Sequence, residues 1–164
     1  MTSTASIGKH PIHPVLVAFP IGLWVFSLLS DIIFLSGGNS AWSTVSRYSM
    51  RVGILGALLA ALPGFVDLLT TPSAKIKRIG AWHMSINLVV TAIFVVDFFL
   101  RANKPGVPAG PFVLSIIGVA LLAVSGWLGG EMVYVHGAGV QPPMAKPGPE
   151  APAREREEVM AGRG

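Results

Sequence analysis

The sequence predicts an all-α integral membrane protein, a four-helix up-down-up-down bundle over residues 1–140 with a disordered tail over residues 141–164. Three observations predict it. Only 12% of the residues are charged and 52% are hydrophobic, whereas a soluble domain carries about 25% charged residues. The few charges are segregated, leaving four apolar stretches close to the roughly 20 residues that span a bilayer as a helix. After Gly137 the chain turns rich in Pro, Gly, Ala and charge, and periodicity is lost.

The first expected helix covers residues 15–35, and Pro20 inside it is expected to kink it. Its length, without a small-x-small cleavage site, marks it as a retained span and not a signal peptide. Gly37-Gly38-Asn39-Ser40 makes a turn, with Trp42 suited to the interface beyond it. A second helix is expected over 47–69, broken near Pro63-Gly64, and a polar loop over 71–80 follows. The third covers 82–100. Lys104-Pro105-Gly106 turns the chain into a fourth over 111–134. Connections this short between four spans give the up-down-up-down order.

This order gathers both termini and the loop around Lys77 on one face. Lys9, Lys75, Lys77, Arg78, Lys146, Arg154, Arg156 and Arg163 lie there, against Arg47, Arg51, Arg101 and Lys104 opposite. The excess of Lys and Arg places both termini in the cytoplasm, and the chain in the inner (cytoplasmic) membrane. The net charge of +4 thus reflects topology and not nucleic-acid binding. There is no cysteine, which excludes disulfides, thiolate metal sites, iron-sulfur ligation and covalent c-type haem attachment.

All four histidines fall on the same face. His10 and His13, each before a proline and so expected in extended backbone, precede the first helix. Pro14 suits a first helical position. His83 opens the third helix and His136 follows the fourth. Asp67 and Glu131, in the last turns of the second and fourth helices, join them. There the helix dipole opposes a carboxylate, whereas His13 and His83 at helix N-termini should be neutral, the metal-binding form. Gly64, Gly126, Gly129 and Gly130 leave room for close packing or a flat cofactor. The bland reading makes each histidine an amphipathic interface residue, with His136 and Glu131 merely pairing. On the opposite face, Asp31 with Arg51, or Asp97 with Arg101, would form structural ion pairs.

His10-Pro11-Ile12-His13-Pro14 with Phe19-Pro20-Ile21-Gly22-Leu23-Trp24 resembles the opening of a bacterial family of predicted four-helix membrane proteins of unknown function. Gly64-Phe65-Val66-Asp67, His83 with Asn87, and the stretch from Gly129 to Val140 resemble its other blocks. The resemblance covers about residues 9–141. Members of that family sometimes occur joined to Rieske-type or cytochrome modules, so the resemblance implies redox surroundings but no established activity.

The expectation is a membrane bundle holding haem b or a transition metal (Fe, Cu or Zn) at its cytoplasmic face. His13, His83 and His136 are the candidate cofactor ligands. His10 joins them as a metal ligand, with Asp67 and Glu131 as further ligands or proton carriers. The expected role is electron transfer or redox support of a partner protein within the bilayer. No residue is assigned to catalysis, and whether the chain is an enzyme stays open, as does its oligomeric state. The alternatives are an accessory scaffold without cofactor and a proton- or ion-handling transporter, which would need ionisable residues through the midplane.

Overall fold

The structure, a computed structural model, describes residues 3–8, 10–102 and 104–140; the tail expected to be disordered lies outside the described residues. Four long helices dominate it: α1 Ile12–Leu35, α2 Ser40–Thr70, α3 Ala74–Arg101 and α4 Ala109–Gly130. A π-helical turn, Glu131–Val135, extends α4. Ahead of α1, β1 (Ser6–Ile7) pairs antiparallel with β2 (His10–Pro11). All four helices, α4 together with its π turn, are long and apolar enough to cross a membrane. Packing is most extensive between α1 and α2 and between α3 and α4, so α1 and α3 stand diagonally. The short connections accord with the expected up-down-up-down order.

Several boundaries differ from the sequence expectation, and local caps explain two of them. α2 starts at Ser40 instead of residue 47 because the Asn39 side chain accepts the Ala41 amide at 2.9 Å. Trp42 therefore sits inside the helix. The supposed loop over 71–80 shrinks to 71–73, since Ser73 caps α3 through the Ile76 amide at 3.4 Å. Lys75, Lys77 and Arg78 consequently ride on the start of α3. Pro63-Gly64 does not end α2, which continues to Thr70. In hydrocarbon an unpaired backbone group is costly, so a membrane helix tends to persist through a proline.

The core is small. Trp24, Met50, Val90, Phe94 and Leu122 form it. Trp24 stacks on Phe94 with centroids 4.4 Å apart and planes at 11°, a contact worth about 0.5–1.5 kcal/mol beyond burial. Glycines make this possible: a Cβ on Gly53 would lie 2.6 Å from Trp24 Nε1, and one on Gly118 2.8 Å from Phe94 Cε2.

Around this core the usual arrangement of a soluble protein is inverted. Ser27, Ser30, Ser46, Ser115, Ser125, Asp31, Asp97 and Arg101 are buried, while Leu55, Leu59, Leu62, Ile33, Val96 and Trp127 are exposed. Such a surface is stable against lipid and not against water. Trp82, Trp127 and Tyr134 project outward near one end of the bundle, as aromatic residues do at the headgroup level.

Candidate functional site

Polar side chains collect at both ends of the bundle, with different chemistry. At the end where α1 and α3 finish, Arg101 joins two helices. Its Nη1 donates to Asp31 Oδ1 at 2.7 Å, its Nη2 to Asp31 Oδ2 at 2.8 Å, and its Nε to Asp97 Oδ1 at 2.7 Å. Nη1 also reaches Ser46 Oγ at 3.3 Å and Nη2 reaches Ser115 Oγ at 3.0 Å, so all five guanidinium N–H groups have partners. Ser115 donates in turn to Asp97 Oδ2 at 2.7 Å. The expected Asp97–Arg101 pair is present. Asp31, however, pairs with Arg101 and not with Arg51, which is exposed. An aspartate inside the bundle can be satisfied only by a cation that also points inward.

The other end holds the histidines. His13, in the first turn of α1, and His83, on α3, bring their rings to 6.1 Å between centroids with planes at 89°. His13 Nδ1 lies 2.8 Å from the Ala60 carbonyl of α2, and His83 Nδ1 lies 2.8 Å from the Ser125 carbonyl of α4. A carbonyl only accepts, so both Nδ1 atoms carry a hydrogen, and in the neutral ring Nε2 is the atom that keeps a lone pair. Asn87 Nδ2 lies 3.2 Å from His83 Nε2, but its two hydrogens have nearer acceptors in His83 O at 2.8 Å and Ser125 Oγ at 2.6 Å. Among the described residues, Asn87 is thus the one side chain that faces His83 Nε2, through the longest of its three contacts.

Glycine shapes both seats. A Cβ on Gly64 would fall 2.7 Å from His13 Nδ1, and one on Gly129 would fall 3.3 Å from His83 Cε1. Gly126 has nothing within 4 Å, and Gly130 meets only Tyr134. A cavity of about 210 Å³ lies against both imidazoles, Asn87, Thr91 and Gly64, walled mostly by apolar groups. Its lining includes exposed Leu58, Phe65 and Leu88, so it opens sideways between α2 and α3.

Other candidates are placed differently. His13 is helical and not extended, because a first-turn residue can precede a proline whose missing N–H would be unpaired anyway. His83 lies well beyond the first turn of α3, so the helix-terminus argument for its neutrality does not apply. His10 is exposed, its Nδ1 2.8 Å from the Gly8 carbonyl. Asp67 lines the cavity, and its carboxylate accepts Ser3 Oγ at 2.8 Å and the Ala5 amide at 2.9 Å. His136 follows the π turn with both ring nitrogens shielded and unpartnered, so the supposed pair with Glu131 does not form. Among the described residues no three His, Asp or Glu side chains are grouped to hold a metal ion.

A further regularity escaped the sequence reading. Positions 13, 24 and 31 of α1 recur 70 residues later as His83, Phe94 and Arg101. Each meets its counterpart: His13 with His83, Trp24 with Phe94, Asp31 with Arg101. Gly53, Ala60 and Gly64 of α2 recur 65 residues later as Gly118, Ser125 and Gly129, and they serve the two halves identically. The bundle is thus two copies of one helical hairpin around a pseudo-two-fold axis, with the imidazole pair on that axis. Its only sequence signal is the spacing His-x10-aromatic-x6-charge with Gly-x6-small-x3-Gly, written twice.

No curated protein and no solved structure matches the chain. A family model does, over residues 9–142, and so takes in the imidazole pair, all four spans and the cavity lining apart from Ser3 and Thr4. The chain belongs to the family described as Predicted membrane protein (DUF2231).

Proposed function

We propose that this membrane bundle holds haem b between His13 and His83 and serves in electron transfer within the bilayer. The observation that carries the reading is the imidazole pair: two diagonal helices each offer a ring whose Nδ1–H is committed to a backbone carbonyl. That outer bond is the usual support of a metal-ligating histidine. With their ring centroids 6.1 Å apart, His13 and His83 are close enough that both would hold a group bound between them. Two imidazoles are too few for a bare zinc ion, which takes four ligands. They would be enough to hold a haem iron, and no cysteine would be needed. Asp67, the carboxylate that lines the same cavity, already accepts from Ser3 and Ala5.

Haem supplies a reversible one-electron couple; the chain's own residues bind, orient and shield it. Gly64 and Gly129 leave the rings free to seat, Ala60 and Ser125 fix their tautomers, and the apolar wall excludes water. The test is the absorption spectrum of protein purified from membranes, ferric and then reduced, with metal analysis. Two-banded reduced spectra and one iron per chain are expected. Metal-free protein without visible absorption would sink the reading and leave a scaffold or transporter.

The imidazole end is assigned to the cytoplasmic side of the inner membrane. Lys75, Lys77 and Arg78 begin α3 there, while Arg101 at the opposite end is turned inward and adds nothing to that surface. Cysteines replacing Ser40 and Ser73 test this in intact cells with an impermeant thiol reagent. Ser40→Cys should label and Ser73→Cys should not; the reverse pattern would invert the orientation.

A further inference from the structure

We infer that Asp67 is a positioning residue: it ties the N-terminal strap, residues 3–8 with 10–11, to the cavity wall and thereby holds the turn that presents His13. The strap touches the bundle through a short chain of bonds. Asp67, in the last turn of α2, accepts Ser3 Oγ on both carboxylate oxygens at 2.8 Å and the Ala5 amide at 2.9 Å. Ala5 then accepts the Ile12 amide at 3.0 Å through its own carbonyl. Ile12 opens α1, and His13 is the next residue. One carboxylate is therefore linked through one strap residue to the turn that carries an imidazole of the pair.

The placement has a physical logic. A carboxylate at a helix C-terminus faces the negative end of the dipole and gains most from donors brought to it. Ser3 and Ala5 bring those donors, and doing so draws the strap over the site. Ser3, Thr4 and Pro11 all line the cavity together with His13 and Asp67. The first turn of a helix has amides without intrahelical partners; here the Ile12 amide is given one by the strap. That bond continues the β1–β2 pairing, so without the tether to Asp67 the hairpin loses its anchor on α2 and the turn carrying His13 is held less firmly. The pseudo-repeat sharpens the point, because the position matching Asp67 in the second hairpin is Met132, which cannot perform this task. His83 has no need of one, since it is embedded in α3.

The part of this inference that concerns the haem rests on the proposed function, so the test includes readouts independent of it. Asp67→Ala and Ser3→Ala are compared with the full-length protein in detergent. Ser3 lies outside the helical bundle, so its variant keeps the fold even if Asp67→Ala does not. Proteolytic cleavage within residues 3–8 and diethyl pyrocarbonate modification of His13 are followed by mass spectrometry. Both should accelerate about tenfold in either variant, the effect of losing charge-assisted hydrogen bonds, while modification of His83 stays unchanged. In haem-loaded protein the visible spectrum should shift from six-coordinate low-spin toward five-coordinate high-spin. Unchanged cleavage and unchanged His13 reactivity would overturn the tether, whether or not haem is bound. Faster cleavage with His13 reactivity at the wild-type level would overturn the positioning role. Both accelerations in a protein that never carries haem would support the tether and count against the haem reading alone.

Discussion

Both ends of the bundle turn polar groups inward, fully buried at one and half-buried at the other, and they differ in what is left unspent. At the Asp31–Asp97–Arg101 end every guanidinium N–H has an acceptor, two serines fill the remaining positions, and the side chains are shut away from the surface. At the imidazole end each ring uses Nδ1 for a backbone carbonyl and turns to a cavity, with only a 3.2 Å contact from Asn87 on His83 Nε2 and, among the described residues, no hydrogen bond on His13 Nε2. A saturated buried network holds a fold together; an unsaturated pair next to open space is prepared for a ligand. The same pseudo-two-fold axis runs through both ends. At one, it pairs unlike residues, aspartate with arginine, which satisfy each other. At the other it pairs two imidazoles with their Nδ1 atoms already used, which do not.

The comparison breaks most visibly at Arg101. Arg101→Ala leaves two carboxylates buried without their cation and should destabilise the bundle by about 3–5 kcal/mol, read by unfolding in mixed detergent. Replacing Asp31, Asp97 and Arg101 together with apolar residues of similar volume should recover much of that loss. If Arg101→Ala is as stable as wild type, the network is not structural.

At the imidazole end the expected pattern is opposite: function goes and the fold stays. His83→Ala should abolish haem retention while the protein remains folded by circular dichroism, because the ring's bonds to Ser125 and Asn87 leave no charge behind when removed. A wild-type spectrum in His83→Ala would sink the site.

The glycines offer a graded test. Gly64→Ala drives a methyl to 2.7 Å from His13 Nδ1 and should displace the ring, with loss of haem. Gly129→Ala, at 3.3 Å from His83 Cε1, should weaken binding less, and Gly126→Ala, with nothing within 4 Å, should leave binding unchanged. Equal effects of the three on haem content would remove the role assigned to ring seating. The smallest effect is expected at His10: His10→Ala loses one exposed bond to Gly8, about 0.5 kcal/mol or less, and should leave the spectrum alone.

By itself the sequence determined the four spans and the meeting of histidines at one end. Both follow from one-dimensional facts. A hydrocarbon solvent dictates how long each apolar run must be, and short connections dictate which ends come together. Only the tertiary structure decided which side chains meet. His13 and His83 converge while His10 remains outside, because ring direction depends on helix register. Register in turn depends on where α3 begins, and Ser73 moved that start to Ala74, several residues earlier than hydropathy suggested. Asp31 took Arg101 over Arg51 for the same reason: both arginines lie at the right end, and only one points inward. Asp67 was legible as a badly placed carboxylate. That its partners are Ser3 and Ala5 was not, since a link across more than sixty residues depends on the N-terminal strap folding back, which no periodicity encodes.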